Sequence, residues 1–192
     1  MIKILLLLIP CFSQAQMLNQ KVFGNNEIRI DTGTITSVFV PAQRTKAERQ
    51  KYYQTTSDHL ISGLGQTPIL LFVNLSTNTV TAYFDQIDMN SIETSVASHF
   101  HLYRSPVIIS SGTALVINKG NTNSPSSKMQ VYMSPTVSSN GVVNFMFTAN
   151  TQMTIKQFNQ AFMVDPGGNV LISVSNNSAN RETAVGISWV EE

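Results

Sequence analysis

The sequence has little charge and almost no cysteine. Charged residues make up 12% of the 192-residue chain, with Lys and Arg at 12 against Asp and Glu at 11, for a formal net charge of +1. That is about half the charged share of an ordinary soluble domain. It excludes the basic footprint of a nucleic-acid binder. It also argues against a helical bundle, whose exposed faces need Glu, Lys and Arg. One cysteine, Cys11, excludes an internal disulfide and a Cys-based metal site. Disorder is excluded by a hydrophobic content of 42% at near-zero net charge. In place of charge the chain carries Ser (21), Thr (18) and Asn (17). A surface kept in solution by hydroxyls and amides suits sheets and turns, as in many secreted and virion proteins. The length allows one domain with a sizeable core.

Residues 1–15 stand apart. A basic start at Lys3, an apolar run from Ile4 to Phe12 broken by Pro10, and the small residues Ser13 and Ala15 fit a secretory signal peptide. The run is too short for a membrane span, which needs about 20 residues. Two readings stay open: a cleaved export signal, or an apolar segment that anchors the chain at a membrane. Residues 16–66 read as an arm and a short charged helix. Glu27–Ile30 and Thr34–Val40 alternate as strands or extended chain, and Pro41 ends the run. Arg44, Lys46, Glu48, Arg49 and Lys51 then cluster, predicting a linker helix over Gln43–Gln54 with a solvated face.

From about Thr67 to Glu192 the pattern is β. Ile69–Val73, Thr79–Phe84, Ser98–Tyr103, Ser127–Tyr132, Asn144–Phe147, Asn169–Val174 and Ala184–Val190 are short apolar or alternating runs. Ser111-Gly112, Lys119-Gly120-Asn121, Asn140-Gly141 and Asp165-Pro166-Gly167-Gly168 separate them with turn chemistry. The expected fold is all-β: an antiparallel, jelly-roll-like sandwich. Its expected core is Leu71, Val73, Tyr83, Phe100, Leu102, Val131, Phe145, Phe147, Leu171, Val174, Ile187 and Trp189. An internal echo runs through it. Leu102–Gly112 and Val131–Gly141, offset by 29 residues, share apolar-Tyr-x-Ser-Pro-x-[Val/Ile]-x-Ser-x-Gly. Proline removes a ladder donor, so each copy should be a strand that kinks at Ser-Pro and continues along a sheet edge.

Residues that carry chemistry are few. His99 and His101 lie two apart on one strand face and could share a metal, though no third ligand is near in sequence. His59 is isolated. Asp85, Asp88 and Glu93 fall in a stretch read as a loop, without the glycine of a calcium loop. Glu191 and Glu192 are expected to be solvated. No serine sits in a nucleophile elbow. The expectation is a non-enzymatic protein with no cofactor.

Three blocks in order carry a resemblance: Pro68–Asp88; His99–Gly120 with Val131–Gly141; and Val164–Gly168 with Ile172–Asn177 and Val185–Glu192. Over residues 65–192 the chain resembles small tailed-phage virion structural proteins with a jelly-roll-like sandwich. In that group the second block often reads Val-Asn-Leu-Asn-Arg-Gly, and the end Trp-x-Glu followed by an acidic or polar residue. The resemblance implies a virion component, on the capsid or in a tail or spike, that contacts other virion proteins and brings no catalytic residues. The signal-like front departs from it. The alternative is an exported carbohydrate-binding module, secreted or periplasmic, that stacks host-surface glycans on Tyr52, Tyr53, Tyr83, Tyr103 or Tyr132. Few charges protect the sheet edges: between Pro106 and Met163 only Lys119, Lys128 and Lys156 are charged. A homo-oligomer is therefore expected, with a trimer favoured by analogy to other spikes and capsid ornaments.

Overall fold

The computed structural model describes residues 29–31, 34–36, 51–62, 65–91, 98–149, 153–176 and 181–192. Residues 1–15, the expected helix before Lys51, and Glu93 lie outside them. The chain divides into two compact units, Met1–Glu48 and Arg49–Glu192. In the first, β1 (Arg29–Asp31) and β2 (Thr34–Thr36) pair antiparallel, with Ile30 opposite Ile35. Both strands fall within the alternating runs of the sequence.

The second unit is β-sandwich-like and all-β, every pairing is antiparallel, and there is no helix among the described residues. Sheet I is six-stranded, in the order β10 (Asn118–Lys119), β3 (Tyr52–Thr56), β16 (Arg181–Glu191), β6 (Ala82–Ser91) and β14 (Met153–Val164), with β4 (Leu60–Ser62) also on β16. Sheet II is six-stranded, in the order β13 (Val142–Ala149), β7 (Ser98–Arg104), β15 (Asn169–Asn176), β5 (Thr67–Val73), β11 (Gln130–Met133) and β9 (Thr113–Ala114). A two-stranded ribbon, β8 (Val107–Ser110) with β12 (Thr136–Ser139), completes it.

Period-two alternation sends one face of each sheet inward. Leu70, Phe72, Phe100, Leu102, Val170, Ile172 and Val174 of sheet II form one cluster with Tyr53, Phe84, Ile87, Met89, Ile187 and Trp189 of sheet I. Trp189 is at its centre, edge-on to Phe72 at 5.1 Å and stacked on Tyr53 at 5.9 Å. Each such side chain contributes roughly 1.5–3 kcal/mol by burial. The hydrophobic core therefore outweighs any single polar contact described below.

The structure corrects three expectations. The sandwich takes in Tyr52–Thr56 and Leu60–Ser62, upstream of the expected boundary at Thr67. Tyr52–Gln54, expected to end a helix, is strand. Two tyrosines and two threonines favour the pleated state, and Tyr53 pairs across from Trp189. Phe145 is 40% exposed, because β13 is an edge strand. Of the other expected core residues, Val73 and Tyr83 are half-buried and Phe147 packs against the cluster from its rim.

The two Ser-Pro copies are kinked, but they do not continue along an edge; β8 and β12 pair with each other. The arrangement is reciprocal. Ser105 and Ser134 turn the chain at φ of 55° and 54°, and the glycines that close each copy, Gly112 and Gly141, both have φ of 87°. A Cβ on Gly112 would lie 2.1 Å from the Met133 carbonyl oxygen, and one on Gly141 2.2 Å from that of Arg104. Each copy thus closes against the other's kink. The strand that follows the first copy, β9, pairs with the second copy's first strand, β11, and β13, which follows the second copy, pairs with β7 in the same way. An approximate twofold relates the halves and passes between β5 and β15, where Leu71 faces Leu171. The strands β7 and β11 run antiparallel and finish at opposite ends of sheet II. Leu71 and Leu171 lie outside the main core cluster and are also fully buried.

Candidate interaction surface

His99 and His101 project from the same face of β7, as their spacing requires. Their ring nitrogens are engaged with hydroxyls: His99 Nδ1 lies 3.0 Å from Thr148 Oγ1, and His101 Nε2 lies 3.2 Å from Ser175 Oγ. The His101 ring stacks on Tyr103 at 6.0 Å. Burial holds the His101 pKa below its ordinary value, and the neighbouring His99 adds to that. Among the described residues no group of three histidine, cysteine or carboxylate side chains is placed to hold a metal ion. The pair belongs to a hydroxyl-linked ladder on the outer face of sheet II.

Three of the five tyrosines read as stacking platforms are withdrawn from the surface. Tyr52, Tyr53 and Tyr103 are buried, and only Tyr83 and Tyr132 are partly open. Tyr53 donates to the Pro125 carbonyl oxygen at 3.2 Å, and Tyr103 to Gln66 Oε1 at 2.6 Å. Burial, with the charge of Glu191 adding to it, pushes the Tyr53 phenol up to about 12. Tyr53 and Tyr103 thus tie loops to the core.

Asp85 and Asp88 lie on β6, not in a loop. Asp88 accepts from Gln86 Nε2 at 3.0 and 3.2 Å, and burial raises its carboxyl above the ordinary range. It borders an open depression of about 280 Å³ with His59, Thr56 and Asn90, floored by Gly186. Glu191, expected in solvent, is only 3% exposed. Its carboxylate accepts from Ser127 Oγ, from the Lys128 backbone N–H at 3.0 Å and from Trp189 Nε1 at 3.1 Å. Ser127 Oγ in turn accepts from the Met129 N–H at 3.0 Å. The Trp-x-Glu spacing supplied the signal for this staple: residues two apart on a strand share a face.

An open apolar surface lies where the two sheets end on the same side. Phe145 of β13 meets Phe158 and Phe162 of β14 at 5.4 and 5.7 Å. Arg104 pins this seam, with its guanidinium 4.5 Å above the Phe162 ring and Nη2 donating to the Met163 carbonyl oxygen at 2.9 Å. Outside the pinned rings, Val142, Val143 and Met146 on β13 and Ile155 and Met163 on β14 are about half to three-quarters exposed. At the other side of the sandwich the edge strands β9 and β10 have two residues each. Short edges of that kind resist pairing with another chain. On the seam side β13 has 8 residues and β14 has 12. No protein-family model and no curated protein matches the chain.

Proposed function

We propose that this chain is a non-enzymatic phage virion structural protein with a jelly-roll-like sandwich, part of the capsid decoration or of a spike or tail, acting as a homo-oligomer. The carrying observation is the division of its side chains. Polar groups with chemical potential, such as Glu191, Tyr53, Tyr103, His99 and His101, are engaged as internal fasteners, while exposed apolar side chains line the β13–β14 seam. A rigid body with an open apolar seam works by area and shape complementarity, which needs roughly 800 Å² per partner and no sequence motif. The resemblance over residues 65–192 is the second support for this reading. The Ser-Pro pairs form the kinks, Gly112 and Gly141 close them, and Trp189 and Glu191 share a hydrogen bond.

The test is mass spectrometry of density-purified phage particles. Recovery of the chain at a fixed ratio to the major capsid protein is expected. Its absence from particles, together with tight binding on a glycan array, would replace this reading with an exported carbohydrate-binding module.

A further inference from the structure

We infer that a second copy of this chain docks on β13, strand to strand and antiparallel, about a twofold axis that extends sheet II across two molecules. The inference rests on the reading above only in taking the protein to be homo-oligomeric. It replaces the threefold closure suggested by analogy with a twofold suggested by geometry.

The first argument is the state of the edge. β13 pairs only with β7, so one side of its backbone has no strand partner among the described residues. Natural edges are blunted by charge, proline or shortness. Val142–Ala149 contains no charged residue and no proline. Its companion edge β14 is protected differently. It carries Lys156, and between Gln157 and Phe162 it bulges away from β6, with Gln160 at φ of 67°. Both long edges carry a register shift, that of β13 between Val143 and Phe145, and β13 alone of the two has no charged residue.

The second argument selects the occupant. A twofold brings each residue of a strand near its own equivalent, and like charges directly opposite are destabilising. The absence of charge in β13 removes that penalty for self-pairing. An axis at Met146 sets Phe145 opposite Phe147 of the second copy, and residues paired in this way lie on one sheet face. The apolar faces of the two strands would then be continuous. The third argument is area. The exposed portions of Val142, Val143, Phe145 and Met146 on β13 amount to on the order of 450 Å², over half of the roughly 800 Å² per partner of a stable interface. The backbone of the paired strands supplies the rest.

Sedimentation velocity on the full chain from low micromolar to several hundred micromolar tests this. The wild type is expected to be a dimer. The double variant V142K/M146K, altered at two exposed edge positions, is expected to raise the dimer dissociation constant at least 100-fold while leaving the circular dichroism spectrum and thermal midpoint unchanged. V116K, at an 80% exposed apolar residue outside the seam, is expected to dimerise as the wild type does. A wild type that is monomeric throughout, a trimer, or a dimer undiminished in V142K/M146K would each overturn the inference. Dimerisation through β13 in a protein absent from particles would leave the inference standing and remove the virion reading.

Discussion

Replacing Glu191 by alanine tests whether the buried staple stabilises the fold. The carboxylate is almost fully enclosed and takes three donors: a hydroxyl, a backbone N–H and the indole N–H. Hydrogen bonds to a charged acceptor are worth about 1.5–3 kcal/mol each, and a stranded buried donor costs about 1–3 kcal/mol. These terms overlap, and water entering the vacated space recovers part of the loss. The net cost is therefore expected at about 3–5 kcal/mol, a large share of the roughly 5–15 kcal/mol that holds a domain folded. Glu191→Gln keeps one acceptor oxygen but turns an NH₂ toward donors, so its cost should fall between zero and that of alanine. Glu192→Ala, at an exposed neighbour, should change stability by less than about 0.5 kcal/mol. Urea unfolding followed by tryptophan emission is a direct assay. Trp189 is the sole tryptophan, is fully buried, and donates to Glu191 itself. A Glu191→Ala variant that loses less than about 1 kcal/mol with unshifted emission would refute the reasoning.

Two further predictions concern the repeat and the histidine ladder. Gly112→Ala and Gly141→Ala each force a Cβ into a backbone carbonyl at positive φ. Each should cost more than about 2 kcal/mol by chemical denaturation, the left-handed backbone alone accounting for about 1–2. Gly65→Ala, where a Cβ meets nothing within 4 Å, should be near neutral, and equal effects at all three positions would reject the reciprocal packing. His101 should titrate below 6.5 in NMR, and His99→Asn should move its midpoint upward. Because its folded pKa is depressed, this stabilising contribution is present above the unfolded value and is lost as pH falls through the folded one. A His101 midpoint at or above 6.5 would reject the burial described for it.

The strands that were legible in the sequence are those whose alternation is strong. Ser98–Tyr103, Asn169–Val174 and Ala184–Val190 occur within β7, β15 and β16 because one face of each is apolar throughout. Tyr52–Thr56 was obscured by the charges just before it, a local helix signal set against a distant partner strand. β14 was missed because its bulge interrupts the period of two. The repeat was visible as a pattern, but its reciprocity depends on contacts between residues 21 to 37 apart, which no local window contains. Glu191 looked solvated because polarity predicts exposure only where no donors converge. The seam was hidden for the opposite reason: Phe145 read as core, and edge position is a property of the sheet rather than of the strand.

The interlocked copies also constrain how the chain reaches this state. Gly112 can settle only once Met133 and Ser134 are in place, and Gly141 only once Arg104 and Ser105 are. Each copy closes against the kink of the other, so neither half is complete by itself. The central pair of sheet II, Leu71 with Leu171, closes a loop of 100 residues before it yields any contact energy. Folding dominated by such distant pairings is slow, on the millisecond-to-second scale. Until folding is complete, β13 has neither its own neighbour nor protection from a stranger's. The strand that would join two finished molecules is therefore also the one most exposed to mispairing in unfinished ones.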